Sequence, residues 1–89
     1  MTTSDLAALY DAFTADCRAL LVAKNEDYGS SWEEMRPPSL TDQLLVKVRR
    51  IQRLETPGHQ AQVSEGVESE CRDLHLYAFL RWVKERGEV

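Results

Sequence analysis

Residues 39–55 read SLTDQLLVKVRRIQRLE, a run whose apolar side chains recur with the period of an amphipathic helix. Its apolar positions are Leu44, Leu45, Val48, Ile51 and Leu54. Ser39 followed by Asp42 resembles a capping box, so we expect the helix to begin at Ser39. A Thr-Pro-Gly sequence breaks the pattern after Glu55. The sequence therefore predicts one helix over these residues, with a single apolar face.

Longer segments on either side follow the same period. Residues 4–23 carry apolar side chains at Leu6, Leu9, Tyr10, Phe13, Cys17, Leu20 and Leu21. A last helix is expected to follow a cap at Ser64 and to run to about Arg86, with Gly87 just past its end. Its predicted buried stripe is Val67, Cys71, Leu74, Ala78 and Trp82, widened by Phe79. A short helix is expected near residues 30–36, ended by the prolines that follow.

These segments are not interrupted by strand-like alternation or internal repeats. The predicted fold class is therefore all-α, a small bundle of three main helices and one short helix, with residues 1–89 as a single domain. A chain of this length buries only about 60–65% of its unfolded surface. We therefore expect a second copy to complete the bundle, as a homodimer or a higher homo-oligomer.

Composition and charge exclude several classes of protein. The chain is 43% hydrophobic and 29% charged, which is ordinary for a folded soluble domain. No run approaches about 18 apolar residues, and the N-terminus lacks the pattern of a secretory signal. We therefore expect a cytoplasmic protein without membrane contact, in which Cys17 and Cys71 are buried free thiols. The net charge of −4 argues against direct DNA binding.

Basic and acidic residues are separated along the chain. Lys47, Arg49, Arg50 and Arg53 lie close together, whereas most of the acidic residues lie elsewhere. Arginine binds phosphate oxygens through paired hydrogen bonds and lysine binds them as a point charge, so this group suits a phosphate ligand. The alternative is that basic and acidic helix faces only neutralise each other through salt bridges.

The sequence Glu70-x-x-Asp73 places two carboxylates on one face of the last helix, with Tyr77 one turn further along. In proteins Mg²⁺ is commonly bound by one or two carboxylates together with phosphate oxygens and water. The spacing therefore fits a magnesium site beside a phosphate. The alternative is a solvated acidic surface, which is the commoner role of carboxylates at this spacing.

The stretch from Lys24 to Trp32 reads KNEDYGSSW and is too polar and too irregular in period to belong to a core. We expect it to form a loop between two helices, where binding groups usually lie. Tyr28 and Trp32 could stack on a nucleobase. The alternative is ordinary turn chemistry, with Gly29 at positive φ and Trp32 covering a small core.

Several blocks of the sequence, taken in order, resemble the nucleotide modification associated domain family over about residues 20–80. The blocks are Lys24-Asn25-x-Asp27-Tyr28-Gly29-x-x-Trp32, Met35-Arg36, Ser39-Leu40-Thr41-Asp42, Lys47, Arg50-Ile51, Val63-Ser64-Glu65-Gly66-Val67, Glu70-x-x-Asp73 and Tyr77-Ala78. That family occurs in bacteria and their phages. It is similar in outline to the all-α, MazG-like nucleoside triphosphate pyrophosphatases, which hold Mg²⁺ with carboxylates from two helices.

The chain departs from these patterns at two points. Glu70-x-x-Asp73 resembles the second carboxylate block of the pyrophosphatases, whereas Glu33-Glu34 lacks the third acid of their first block. Leu76 stands where the family usually has asparagine. Both departures bear on hydrolysis more than on nucleotide binding.

The resemblance implies a nucleotide ligand and gives two hypotheses for function. The first is an enzyme that hydrolyses a nucleoside triphosphate or a modified deoxynucleotide with Mg²⁺, in which Glu70 and Asp73 are catalytic metal ligands assisted by Glu34. The second is a sponge or sensor that binds a nucleotide without turnover. The ligand-binding residues expected in both cases are Lys24, Asn25, Asp27, Tyr28, Trp32, Arg36, Lys47, Arg50 and Tyr77. A third hypothesis is an interaction domain whose polar motif only shapes a turn.

Overall fold

The computed structural model describes residues 1–87. It contains α1 (Thr3–Tyr28), a 3₁₀ helix (Ser31–Glu34), α2 (Pro37–Leu54) and α3 (Val67–Arg86), and no strand occurs in that range. The predicted all-α class, with three main helices and one short helix, is confirmed. The expected pairing of two copies stays a prediction. None of the helices within the described range is long and apolar enough to cross a membrane.

The chain divides into two compact units, and the first is Met1–Ser30. This unit consists of α1 and its ends. A capping box starts the helix, because the Thr2 hydroxyl accepts a hydrogen bond from the amide of Asp5 and the Asp5 carboxylate accepts one from the amide of Thr2. These two bonds satisfy donors that an uncapped helix would leave without partners.

The end of α1 corrects the prediction for the polar stretch that begins at Lys24. The helix continues to Tyr28, so Lys24–Tyr28 is helical and not a loop. The helix ends only at Gly29, whose φ of 73° lies in the region that favours glycine and whose amide donates to the carbonyl of Asn25 at 2.8 Å. A repeat of apolar residues at helical spacing indicates that one side of the helix is buried. A helical turn that is fully exposed does not need apolar residues at that spacing. The polar composition was therefore no evidence against helix.

The second unit begins at Ser31 and contains the 3₁₀ helix, α2 and α3. α2 starts at Pro37, ahead of the predicted cap at Ser39, and Arg36 is its N-cap residue with extended backbone. Proline fits the first turn of a helix because the amide hydrogen it lacks has no intrahelical acceptor there. The two prolines therefore begin α2, whereas the sequence predicted that they end the short helix before it. The predicted end is confirmed, with Glu55 as C-cap.

α3 begins at Val67, later than the predicted cap at Ser64. The Ser64 hydroxyl instead accepts a hydrogen bond from the amide of Gly66 at 2.9 Å, which shapes the turn before the helix. The helix ends at Arg86 with Gly87 in the left-handed conformation, as the sequence predicts.

α2 and α3 pack against each other, but through faces that differ from the predicted ones. The buried residues of the two helices are Leu40, Lys47, Glu70, Leu76 and Leu80. Several residues assigned to the apolar stripes are exposed instead: Leu45, Val48, Val67, Cys71, Ala78, Phe79 and Trp82. Charged side chains occupy the middle of the α2–α3 contact. Compared with the prediction, each helix is rotated about its axis so that these charged side chains face the other helix. The predicted burial of Cys71 is therefore wrong, whereas Cys17 is buried as expected.

Candidate functional site

Lys47 lies at the centre of the α2 face that contacts α3. It follows Leu40 and Leu44 and precedes Ile51 at steps of three and four residues, so all four side chains share one helix face. Lys47 is only 8% exposed, while its apolar neighbours on that face are buried or half-buried. Lys47 is not among the apolar positions that the sequence predicts for the buried face of this helix. The structure places this cation inside the contact between two helices.

Two carboxylates of α3 meet the Lys47 ammonium group. The Nζ atom of Lys47 lies 3.2 Å from Oδ2 of Asp73 and 3.9 Å from Oε2 of Glu70. The ammonium group also lies 5.8 Å from the centre of the Tyr77 ring, within the range of a cation–π interaction. The three α3 residues follow one another at steps of one turn on the same helix face, which is why a single lysine reaches all of them.

Glu70 is the least satisfied member of this group. The residue is 9% exposed, and its Oε1 lies 3.9 Å from Nη1 of Arg50. Its Oε2 is buried and has no hydrogen-bond partner among the described residues, since the Lys47 nitrogen is too distant to donate to it. A buried carboxylate oxygen without a donor is costly and calls for an explanation. We refer to Lys47, Arg50, Glu70, Asp73 and Tyr77 as the charged cluster.

Arg50 connects the buried part of the charged cluster to solvent. Its side chain is 55% exposed, compared with 10% for the side chain of Lys47. Arg49 and Arg53 are also exposed, and neither forms an ion pair with any residue of the described range. Arg53 lies one turn beyond Arg50 on α2. The charged cluster contains two positive and two negative side chains. Beside it on α2 lie Arg49 and Arg53, which form no ion pair within the described range.

The 3₁₀ helix is fastened to α3 at a different point. The Lys84 ammonium group donates a hydrogen bond to the backbone carbonyl of Glu33. This contact holds the segment that carries Trp32 and Glu34, two of the predicted site residues. Trp32 is half-buried and Glu34 is exposed. This role of Lys84 could not be predicted from the sequence, because a contact with a backbone carbonyl leaves no signal there.

The remaining predicted ligand-binding residues lie outside the charged cluster. Arg36 is exposed at the start of α2. Lys24, Asn25, Asp27 and Tyr28 lie in the last two turns of α1 and are exposed. The Asn25 side-chain oxygen accepts a hydrogen bond from the Ser30 hydroxyl at 3.2 Å. Lys24 and Tyr28 are one turn apart and share a helix face. Five of the predicted residues thus meet at the α2–α3 contact.

The charged cluster fits a magnesium ion in part. Glu70 and Asp73 supply the oxygen ligands that Mg²⁺ prefers, and Oε2 of Glu70 has no hydrogen bond to lose. However, the Lys47 ammonium group lies between the two carboxylates, where a cation would have to bind. No group of three or more His, Cys, Asp or Glu side chains that could hold a metal occurs in the described residues, so Glu34 does not join the pair. With Lys47 in this position the residues do not fit a metal ion.

A family model described as nucleotide modification associated domain 1 matches residues 24–84. The match confirms the resemblance to that family and covers the charged cluster as well as the polar stretch from Lys24. The similarity to the MazG-like pyrophosphatases stays a prediction. No curated protein and no solved structure matches the chain.

Proposed function

Because the chain belongs to the nucleotide modification associated domain family, we propose that it binds a nucleotide, with the phosphates at the charged cluster. The proposal commits to binding without turnover, as a sponge or sensor of a nucleotide would bind. We place this activity in the cytoplasm, or in the host cytoplasm if the chain is encoded by a phage.

The observation that carries the proposal is the burial of Lys47 between Glu70 and Asp73. Removing such charges from water costs several kcal/mol for each ion, and a well-packed apolar side chain often serves stability as well or better. Packing alone therefore does not account for a lysine at the centre of an apolar helix face. A role in binding a charged ligand accounts for it.

Arg50 is the group of the charged cluster that an incoming phosphate would contact first. Its side chain is about half exposed, and the one ion pair that it forms within residues 1–87, with Glu70, is long at 3.9 Å. A phosphate offers shorter, paired hydrogen bonds than this carboxylate does, so a ligand can displace Glu70 from Arg50. The unpaired Arg53, one turn away, adds positive charge on the same side of the approach.

Aromatic side chains are available to bind the base. Trp32 on the 3₁₀ helix is half-buried, and Tyr28 at the end of α1 is 77% exposed. Stacking of a base on an aromatic ring is worth about 1–3 kcal/mol and tolerates any base. We propose that Trp32, with Arg36 as a further polar group, holds the nucleoside part of the ligand. The binding roles expected of Lys24, Asn25, Asp27 and Tyr28 stay predictions.

The second candidate function is Mg²⁺-dependent hydrolysis of a nucleoside triphosphate or modified deoxynucleotide. One observation favours it, the buried Oε2 of Glu70 that lacks a hydrogen-bond donor. Because the Lys47 ammonium group lies where the metal would bind, Glu70 and Asp73 would hold Mg²⁺ only with that group displaced. A bound Mg²⁺ would supply charge neutralisation and an activated water.

Calorimetric titration tests the proposal and separates it from the second candidate. The protein is titrated with nucleoside triphosphates and cyclic dinucleotides, with and without Mg²⁺, and each mixture is assayed for released phosphate and pyrophosphate. Binding of an unchanged ligand that is weakened in Arg50→Ala and kept in Arg49→Ala is the expected result. Arg49 is the matched control because it is an exposed arginine of the same helix with no ion pair in the described range.

Other outcomes of the titration are equally informative. Release of pyrophosphate that requires Mg²⁺ and is lost in Asp73→Asn, but kept in Asp42→Asn, would establish the enzyme and overturn binding without turnover. Asp42 serves as the control because it is an exposed carboxylate of α2 outside the charged cluster. Absence of binding by every nucleotide at millimolar concentration would overturn both candidates.

A further inference from the structure

A second face of α3, distinct from the side that carries Glu70 and Asp73, is apolar along most of the helix. We call it the outer face of α3, and it consists of Val67, Cys71, Leu74, Ala78 and Trp82, flanked by Phe79. Trp82 is 52% exposed, and Val67 and Phe79 are each 40% exposed. Single exposed apolar residues are ordinary, but a continuous row on one helix face indicates an interaction surface.

The unit that contains α3 has little apolar core of its own. Its buried apolar side chains, within the described residues, are Leu40, Leu76 and Leu80. Charged groups occupy the middle of the α2–α3 contact, which adds desolvation cost to a small core. Domains of this size commonly gain the missing apolar burial from oligomerisation. Covering the outer face of α3 would supply that burial.

We propose that the outer face of α3 packs against the same face of a second copy of this chain, in antiparallel orientation. The outer-face positions are separated by steps of four, three, four and four residues, close to the spacing of the seam between two paired helices. α3 is 20 residues long, so the seam can extend over about 30 Å. A face that pairs with itself closes a two-fold dimer and leaves no free copy of the surface.

The charges of α3 determine the orientation. Its first turn is acidic, with Glu68 and Glu70, and its last turn is basic, with Lys84 and Arg86. Glu68 and Arg86 lie on the same flank of the outer face, beside Phe79. An antiparallel pair brings the same flank of the two helices together, so Glu68 of one copy lies beside Arg86 of the other. A parallel pair would place like charges together at both ends.

Arg86 is already positioned at the edge of this surface. Its guanidinium carbon lies 4.8 Å from the centre of the Trp82 ring, in a cation–π arrangement. Tryptophan and arginine are among the residue types that most often carry the energy of an interface. Trp82 is therefore the residue whose replacement should weaken the dimer most.

Sedimentation equilibrium over a wide range of concentration tests the proposal. We expect the wild-type chain to be a dimer, and we expect Trp82→Glu to weaken association by at least about a hundredfold, as hot-spot residues do. Leu45→Glu is the matched control, because Leu45 on α2 has the same exposed fraction as Trp82, 52%. It should leave the dimer intact. Neither residue belongs to the charged cluster, so the result is independent of nucleotide binding.

A second variant distinguishes loss of the dimer from loss of the fold. Ala78→Glu places a charge at the middle of the outer face, where the side chain is exposed in a single chain, and circular dichroism reports whether each variant keeps its helices. We expect both outer-face variants to be helical monomers. A wild-type chain that is monomeric at all concentrations would overturn the proposal. So would a dimer that survives both outer-face substitutions or that Leu45→Glu dissociates.

Cys71 tests the orientation. In an antiparallel pair centred midway between Glu68 and Arg86, the register that brings these two residues together, the two Cys71 residues are about 18 Å apart along the helix axis. This separation is far beyond the reach of a disulfide, whose Cα atoms lie within about 7 Å. Mild oxidation should therefore produce no covalent dimer of the wild-type chain. A rapid disulfide between two Cys71 residues would overturn the antiparallel arrangement.

Discussion

The Nζ atom of Lys47 lies 3.2 Å from Oδ2 of Asp73, across the contact between α2 and α3. It is the shortest ion pair of the charged cluster, and it joins helices that a loop separates in the sequence. Because both side chains are largely withdrawn from water, their charges attract more strongly than those of an exposed pair. A change at Lys47 therefore alters the stability of this unit as well as the charge of the cluster.

Replacement of Lys47 by methionine should destabilise the protein. Lys47→Met leaves Glu70 and Asp73 without their buried cation, and removal of one partner from such a pair typically costs about 3–5 kcal/mol. The free energy of unfolding in urea measures the effect. Arg49→Met removes an exposed charge from the same helix and should change that free energy by less than about 0.5 kcal/mol.

A second substitution shows whether Lys47→Met destabilises the chain through lost packing or through a carboxylate that is left without its cation. Asp73→Asn should destabilise the wild-type chain, because it weakens the shortest ion pair, and should stabilise the Lys47→Met chain, because it removes a carboxylate that has no cation. The double-mutant cycle then shows a large coupling energy. Additive effects of the two substitutions would show that the ion pair contributes nothing to stability.

Replacement of Arg50 should weaken nucleotide binding without loss of the fold. The Arg50 side chain is more than half exposed, so Arg50→Ala leaves the buried ion pairs of Lys47 in place. Loss of charge-assisted hydrogen bonds to phosphate costs about 1.5–3 kcal/mol, which corresponds to roughly ten- to hundredfold in affinity. Arg49→Ala should bind as the wild type does. Equal losses in the two variants would assign the effect to overall charge and not to a site.

The helices could be predicted from the sequence, but the sides on which they pack could not. A period of three and four residues indicates that a helix has an apolar side, and it identified α2 and α3 with their ends near Leu54 and Arg86. It does not say which neighbour covers that side. Lys47 counts as polar in any such pattern, so its burial at the α2–α3 contact had no signal in the sequence. The sequence predicts that the apolar stripe through Trp82 is buried within the chain, whereas Trp82 is 52% exposed.

The charged cluster was predictable to the extent that helix spacing determines it. Glu70, Asp73 and Tyr77 share a face by their spacing alone, and the basic residues of α2 suggested the partner. The place of Glu34 was not predictable, because it depends on a short 3₁₀ helix that Lys84 fastens to α3. Tertiary contacts of this kind involve a backbone carbonyl, which every residue has.

Magnesium should stabilise the Lys47→Met chain more than the wild type. With the ammonium group removed, Glu70 and Asp73 present two carboxylates to solvent ions without a competing cation. A ligand at ten times its dissociation constant adds about 1.4 kcal/mol to the free energy of unfolding. The shift is measured as the change in urea midpoint on adding MgCl₂, against NaCl of equal ionic strength.

The additional substitution Asp73→Asn is the control for this effect. It removes one of the two metal ligands, so the stabilisation by magnesium should disappear in the double variant. If Lys47→Met showed no response specific to Mg²⁺, the carboxylate pair would not be a metal site, and hydrolysis as the second candidate function would lose its support.

Replacement of Gly29 tests whether Lys24–Tyr28 is the end of a helix, as the structure has it, or part of a loop. Gly29 has φ 73° and ψ −171°, a region that only glycine adopts readily, whereas Gly87 has φ 74° and ψ 22°, in the left-handed region that asparagine tolerates. Gly29→Asn should therefore cost about 1–3 kcal/mol in the free energy of unfolding, and Gly87→Asn should cost much less. Urea unfolding followed by circular dichroism measures both. Equal, small effects would mean that Gly29 is free to adopt other conformations, and the predicted loop would then describe Lys24–Tyr28 better than the helix does.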